Sequence, residues 1–223
     1  MIACLNEIFI CIMYIIMRVL FLYLSIFMCF TGCNNSKNVT ESNLHELPDQ
    51  VILTYLPCDS NSILWMQPYG NVDHGGGNAF FHNGIDFGTE HNGAFYSCSN
   101  GYVSQIELNT GVGWDGTNYR ITIQVSKTVI LDYHFEIAGE VSVIDRKNNI
   151  FISEGDKVEA GQHIGNLIVA TQDIAHVHWS IFENGEAITC PIDYFADDVK
   201  NSFESLYDSG IEKRPNTRPN LCE

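Results

Sequence analysis

The sequence predicts a mostly β protein, either an antiparallel β sandwich or a partly open barrel. From about residue 61 to 198, short segments rich in β-branched and aromatic residues follow one another. Stretches such as HNG, SNG and ENGE separate these segments and are typical of turns. No long segment before residue 197 has helical periodicity, whereas the stretch DDVKNSFESLY near the C-terminus predicts one short helix.

Length and charge limit the organisation and the partners of the chain. With 223 residues, of which 45% are hydrophobic, one sizeable domain with accessory segments is expected. We predict a signal peptide over residues 1–32, with Met17 as an alternative start, and a polar linker and lead-in over 33–60. The main domain is expected over 61–198 and a C-terminal tail over 199–223. The net charge of −16 argues against nucleic acid as a partner, because phosphates require lysine and arginine.

The N-terminal segment has the layout of an export signal. Arg18 precedes an apolar run from Val19 to Phe30, which small residues follow. The stretch Phe30-Thr31-Gly32-Cys33 resembles the lipobox of bacterial lipoproteins, although Phe30 stands where leucine is usual. This resemblance predicts a lipidated Cys33 and an exported, membrane-anchored protein, in the periplasm or at the cell surface. An uncleaved membrane anchor is the alternative, because the run from Ile8 to Phe30 is nearly long enough to span a bilayer.

The cysteines beyond Cys33 are expected to face an oxidising compartment. Four cysteines allow two disulfides in three connectivities, among which the sequence does not choose. No two of them form a close-spaced pair, which argues against a zinc–thiolate site. The four are Cys58, Cys98, Cys190 and Cys222.

Two histidines alternate with apolar residues in the predicted strand AHVHWSIF. Side chains alternate across a strand, so His176 and His178 face one side while Val177 and Trp179 pack on the other. Two neighbouring imidazoles in a buried strand are costly unless a metal or a hydrogen-bonded polar cleft satisfies them. The pair is therefore a candidate for either kind of site.

A second cluster, HNGIDFG, supplies a histidine and a carboxylate. In a straight strand His82 and Asp86 would lie roughly 13 Å apart, too far to share an ion. Asn83-Gly84 is a strong turn signal, and a bend there would bring both side chains to one point. Histidine and carboxylate ligands suit zinc, and three protein ligands leave a fourth position for water. The alternative is a hairpin with a surface histidine and an aspartate that caps the turn.

The remaining histidines carry weaker signals. His134, beside Tyr133 in VILDYHFE, is by itself typical of a core or surface residue. His74, in VDHGGGNAFFH, is a candidate for a role in a cleft, with a surface loop as the alternative. No role is assigned to the other three, which are His45, His91 and His163.

Taken in order, these motifs resemble the signature of lysostaphin-type (LytM-like) zinc metallopeptidases, which are cell-wall endopeptidases. The signature is H-x-x-x-D, then a strand histidine after a tyrosine, then H-x-H. EGDKVEAGQHIGNLI resembles the family's G-x-x-V-x-x-G-x-x-I-G stretch, and AHVHWSIFENGEAITCPIDYF resembles H-x-H-F-E…N-G…P-x-x-Y. The resemblance covers roughly residues 66–197.

The resemblance implies a Zn²⁺ ion in a central catalytic groove. Its ligands would be His82, Asp86 and His178, and His134 and His176 would be the two catalytic histidines. The implied reaction is hydrolysis of peptide bonds in peptidoglycan cross-links or stem peptides. A non-catalytic peptidoglycan-binding or amidase-activating protein is one alternative, and a peptidase of glycine-rich proteins outside the wall is another. The presence of all five polar positions favours the active peptidase.

The chain departs from the family pattern beside the site residues. Tyr133 is adjacent to His134, where the family usually has one residue between them, and Trp179-Ser180 follow H-x-H in place of Phe-Glu. The segment TQDIA before His176 lacks the usual glycine-rich approach. These differences affect the walls of the groove, so they concern substrate preference more than chemistry.

Overall fold

A nine-stranded, largely antiparallel sheet forms the centre of the protein, which is described as a computed structural model. The structure describes residues 41–73, 79–110, 118–171, 173–188, 190–209, 211–214 and 220–222. All of them belong to the unit Lys37–Glu223. The signal segment over residues 1–32, Cys33 and His74 lie outside the described residues. The predicted mostly β class is confirmed.

Thirteen strands and three helices make up the described chain. The strands are β1 (Ile63–Gln67), β2 (Gly70–Asp73), β3 (Ala79–His82), β4 (Ile85–Thr89), β5 (Gly93–Tyr96), β6 (Gly101–Glu107), β7 (Tyr119–Gln124), β8 (Val129–Glu136), β9 (Lys157–Val158), β10 (His163–Leu167), β11 (His176–Glu183), β12 (Glu186–Ala187) and β13 (Glu212–Lys213). The helices are α1 (Glu41–Glu46), α2 (Val143–Asn148) and α3 (Asp197–Asp208), with 3₁₀ turns at Ser60–Ser62 and Pro191–Tyr194. Helix α3 is the short C-terminal helix that the sequence predicts.

The order of strands in the main sheet brings distant parts of the chain together. The order is β13-β1-β4-β11-β8-β7-β6-β9, and β12 pairs with β11. Only the β1–β13 pair is parallel among these described pairings. Two small sheets, β5–β10 and β2–β3, complete the strands, and the described part of the main sheet does not close into a barrel.

The main sheet has one apolar face and one polar face, as β8 shows. Tyr133 and Phe135 are fully buried in the core, where Phe135 contacts Phe95 of β5 at a ring-centre distance of 5.4 Å. Successive side chains of a strand point to opposite faces. His134 and Glu136 therefore point to the polar face.

Helix α3 and the segment before it cover another part of the apolar face. Phe203 of α3 lies 5.7 Å from Phe87 of β4, and Trp179 of β11 lies 5.6 Å from Phe195, between ring centres. Trp179 and Val177 are both fully buried. The prediction that these two residues pack opposite the histidine pair is confirmed.

The lead-in and the tail both pack on the domain. Leu53 and Leu221 belong to the core. A disulfide joins Cys190 to Cys222, which forms an isolated bridge with Tyr69 next to β1. The other two predicted disulfide cysteines, Cys58 and Cys98, are buried and unbonded, so one disulfide is present where the sequence allows two. No helix in the described part of the chain has the length and apolar character needed to cross a membrane.

Candidate metal centre and groove

Three side chains from three strands converge on one point at the polar face of the main sheet. His82 ends β3, Asp86 lies in β4, and His178 of β11 pairs with Asp86 in the ladder. The distances from His82 Nε2 are 3.0 Å to Asp86 Oδ1 and 3.0 Å to His178 Nδ1. The third side of the triangle, from His178 Nδ1 to Asp86 Oδ1, is 2.9 Å. The predicted bend between His82 and Asp86 is confirmed.

Hydrogen bonding leaves a lone pair of His82 pointing into this triangle. His82 Nδ1 lies 2.7 Å from the carbonyl oxygen of Pro68, which can only accept, so Nδ1 carries the proton. The neutral ring then presents an unprotonated Nε2 towards Asp86 Oδ1, which is also an acceptor. Two acceptors at this distance repel each other unless a proton or a cation lies between them.

The triangle has nearly the size that a tetrahedral metal site requires. Zinc bonds of about 2.0–2.1 Å place tetrahedral ligands about 3.3 Å apart, slightly more than the three distances. The three residues therefore form a group that could hold a metal ion. The second nitrogen of His82 is held by a backbone carbonyl, which is the usual arrangement for a histidine ligand.

The side chains at and beside the triangle shift one another's pKa values. Burial by itself would raise the pKa of Asp86, but His176, His82 and His178 outweigh it and hold that pKa well below its usual range. Burial by itself would lower the pKa of His82, but Asp86 and the Pro68 carbonyl outweigh it and raise that pKa. In the absence of a metal, a proton is therefore the natural occupant of the space between the two side chains.

His176 lies beside the triangle on the same strand face as His178. Its Nδ1 is 2.7 Å from the carbonyl oxygen of Ile174, to which it donates, so the neutral ring has an unprotonated Nε2. That Nε2 lies 3.6 Å from Asp86 Oδ2 and 3.7 Å from Glu136 Oε2. His176 thus presents a proton acceptor to the groove.

His134 lies next to His178 across the β8–β11 ladder but is more enclosed. Its Nε2 is 3.0 Å from Thr110 Oγ1, and its Nδ1 is 3.4 Å from Glu136 Oε1. The residue is only 4% exposed and is not among those that line the groove. The five predicted site residues therefore come together, and all of them except His134 line the groove.

Glu136 is a site residue that the sequence analysis missed. Its two carboxylate oxygens lie near the rings of His134 and His176, and it pairs with His176 in the β8–β11 ladder. Burial by itself would raise the pKa of Glu136, but the two histidines outweigh it and lower that pKa. Because Glu136 is two residues from His134 on a strand, its place on the same face follows from the alternation of side chains.

A groove of about 620 Å³ opens above the triangle. Apart from the site residues and Glu136, its walls come from segments for which no role was predicted. The residues that line them are Trp65, Gln67, Phe80, Asn118, Ala138, Ile174 and Arg214. Two further histidines lie elsewhere: His91 Nδ1 accepts from the Val169 amide, and His163 contacts Asn166.

The open β sheet, the His–Asp–His triangle and the groove together define a mostly β protein with a candidate metal-dependent active site. The family described as "Peptidase family M23" matches residues 80–190. The chain belongs to this family, which confirms the predicted relationship. No curated protein matches the sequence.

Several solved structures resemble the chain. Csd3 of Helicobacter pylori is 19% identical over 72% of this chain, with a TM-score of 0.45, and the chain spans 40% of its length. A zinc-containing peptidase from Vibrio cholerae is 18% identical over 62% of this chain and 39% of its own, with a TM-score of 0.43. The catalytic domain of the antimicrobial peptidase lysostaphin from Staphylococcus simulans is 21% identical over 52% of this chain and 77% of its own, with a TM-score of 0.38.

Proposed function

We propose that the protein is a zinc-dependent endopeptidase that hydrolyses peptide bonds in the cross-links or stem peptides of bacterial peptidoglycan. The observation that carries this proposal is the triangle of His82 Nε2, Asp86 Oδ1 and His178 Nδ1, with sides of 2.9–3.0 Å. Membership of peptidase family M23 supports the class of reaction.

In this proposal the three atoms of the triangle are the zinc ligands. Two imidazoles and one carboxylate form a ligand set of the kind found in catalytic zinc sites, which keep a fourth position open. A zinc ion held by these residues would lower the pKa of a bound water towards neutrality and would polarise the substrate carbonyl. The Pro68 carbonyl keeps the proton of the neutral His82 ring on Nδ1, so that Nε2 is the atom that faces the metal.

His176 is the proton carrier that faces the substrate. Its bond to the Ile174 carbonyl fixes the tautomer, so Nε2 is the atom that accepts a proton from the attacking water. The same atom can then return the proton to the leaving amine. Glu136, 3.7 Å from that nitrogen, stabilises the ring while it is protonated.

His134 supports the reaction from the strand next to His178. Glu136 accepts from its Nδ1, and the hydroxyl of Thr110 lies at its Nε2, so both ring nitrogens are held in place. A protonated His134 places positive charge close to the groove, where negative charge develops on the substrate oxygen. The two histidines thus differ in position as well as in role: His176 lines the groove, whereas His134 is enclosed.

The test combines metal analysis with digestion of purified sacculi by residues 34–223. We expect about one zinc per chain and new muropeptides from the wild type. His178→Ala should lose both the zinc and the activity, whereas His176→Ala should keep the zinc and lose at least about a hundredfold in rate. Zinc binding without any new product would favour a non-catalytic peptidoglycan-binding or amidase-activating protein. No zinc at all would refute the proposed metal site.

We also propose that the enzyme is exported and anchored to a membrane through a lipidated Cys33. The apolar run from Val19 to Phe30 and the lipobox-like Phe30-Thr31-Gly32-Cys33 support this proposal. Cys33→Ala should release the protein from membranes in fractionation and leave its activity on soluble muropeptides unchanged. A mature N-terminus other than an acylated Cys33, identified by mass spectrometry, would refute the anchor.

A further inference from the structure

One end of the groove carries a guanidinium group from the C-terminal part of the chain. Arg214 directly follows β13, which pairs with β1, and it lines the groove together with Trp65 of β1. Both residues lie outside the segment 80–190 that matches the family. Arg214 is the one lysine or arginine among the described residues that line the groove, in a chain with a net charge of −16.

The guanidinium is held from three sides. Its central carbon lies 4.3 Å from the ring centre of Trp65, Nε donates to Glu212 Oε1 at 2.7 Å, and Nη1 donates to the backbone carbonyl of Asp173. Trp65 is only 5% exposed, and its indole packs so closely on Gly88 that a Cβ at residue 88 would lie 2.1 Å from it. Such a rigid platform loses little conformational freedom when a ligand binds.

We propose that Arg214 binds a carboxylate of the peptide substrate. A guanidinium has five N–H donors, and its contacts with described residues use two of them. The planar arrangement of the remaining donors suits a carboxylate, which can accept two parallel hydrogen bonds. Glu212 does not cancel this charge, because its side chain is 60% exposed and surface ion pairs contribute little.

The position of Arg214 determines where the carboxylate lies in the substrate. The ring centres of Trp65 and His176 are 5.4 Å apart. Because Arg214 stacks on the same indole, its guanidinium lies within about 10 Å of His176, a length that roughly three extended residues span. The bound carboxylate is therefore within three residues of the bond that is cleaved. It is either the C-terminal carboxylate of the peptide or that of an acidic side chain.

The inference rests on the proposed peptidase function, and it names the substrate feature that this site prefers. The experiment compares soluble muropeptides with the same muropeptides after their carboxylates have been amidated, using wild type, Arg214→Ala and Arg214→Lys. The matched control is Lys127→Ala, which removes an exposed cation that pairs with Asp49 and does not line the groove. Synthetic stem peptides amidated only at the C-terminus or only at the acidic side chain then identify which carboxylate is bound.

For the wild type, amidation should raise KM about tenfold and change kcat little, since a charge-assisted hydrogen bond is worth about that factor. Arg214→Ala should raise KM by the same factor for the free acids only, Arg214→Lys should lie between, and Lys127→Ala should match the wild type. The inference would be overturned if the wild type had the same KM for the free-acid and the amidated forms. It would also be overturned if Arg214→Ala raised KM equally for both forms. If the wild type cleaves neither form, the peptidase function fails, and calorimetric affinities of the same two forms for wild type and Arg214→Ala still decide whether Arg214 binds the carboxylate.

Discussion

Gly84 lies directly against the imidazole ring of His178, and a methyl group there should displace this proposed metal ligand. A Cβ at residue 84 would be 2.7 Å from Cε1 and Nε2 of His178 and 2.6 Å from the carbonyl oxygen of Trp179. Carbon atoms in contact normally keep about 3.5 Å or more, so in Gly84→Ala the ring must retreat by about 0.8 Å. Metal–ligand distances tolerate only about 0.2 Å.

The Gly84→Ala variant should therefore bind zinc at least about tenfold to a hundredfold more weakly, the usual effect of disturbing the support of a ligand. Overpacking should also lower the free energy of unfolding by about 1–3 kcal/mol. Chelator competition measures the first quantity and denaturant unfolding the second. Gly185→Ala is the matched control: its φ of +85° makes alanine strained, but nothing lies within 4 Å of the added Cβ. Wild-type zinc affinity in Gly84→Ala would refute the reasoning.

Four further outcomes follow from the structure. Glu136→Gln should keep its zinc but lower kcat about tenfold, because the carboxylate near both proposed catalytic histidines loses its charge. An unchanged kcat would contradict this role. The pKa of His82 is raised, so protons should compete with zinc already near neutrality. Zinc affinity, measured by chelator titration, should therefore fall steeply from about pH 7 to about pH 5. An affinity that does not change with pH would count against His82 as a ligand. Burial raises the pKa of the Cys98 thiol to about 12, so iodoacetamide at about pH 8 should label it only after unfolding, and fast labelling of the native protein would argue against this burial. The disulfide between Cys190 and Cys222 spans 32 residues, so replacing both cysteines by serine should lower the unfolding free energy by about 3–4 kcal/mol. Denaturant titrations measure this change. A loss below about 1 kcal/mol would mean that the tail is held by packing alone.

The parts of the central site were predictable from local rules, and the family resemblance predicted that they meet. His176 and His178 share a face through the alternation of a strand, and the Asn83-Gly84 turn brings His82 back to Asp86. Neither rule depends on what the strands pack against. Glu136 obeys the first rule as well, being two residues from His134, and could have been found in the same way.

The walls of the groove were not predictable from local pattern. Trp65 and Arg214 meet through the pairing of β1 with β13, which joins segments at opposite ends of the domain. The hydrophobic periodicity of a segment indicates its secondary structure and its buried face, but it does not indicate which distant segment packs beside it. The same limit applies to Cys190 and Cys222, whose pairing depends on how the tail returns to Tyr69.

The parallel pairing of β13 with β1 has a consequence for the order of assembly. Contacts between segments far apart in sequence form late, because they close the longest loops. The triangle takes its three side chains from residues 82–178, whereas the Trp65–Arg214 stack needs the chain as far as residue 214. During synthesis the chain can thus build the triangle before its groove is complete. Selectivity for the substrate would then be the last property acquired, and the first lost to a protease that trims the C-terminus.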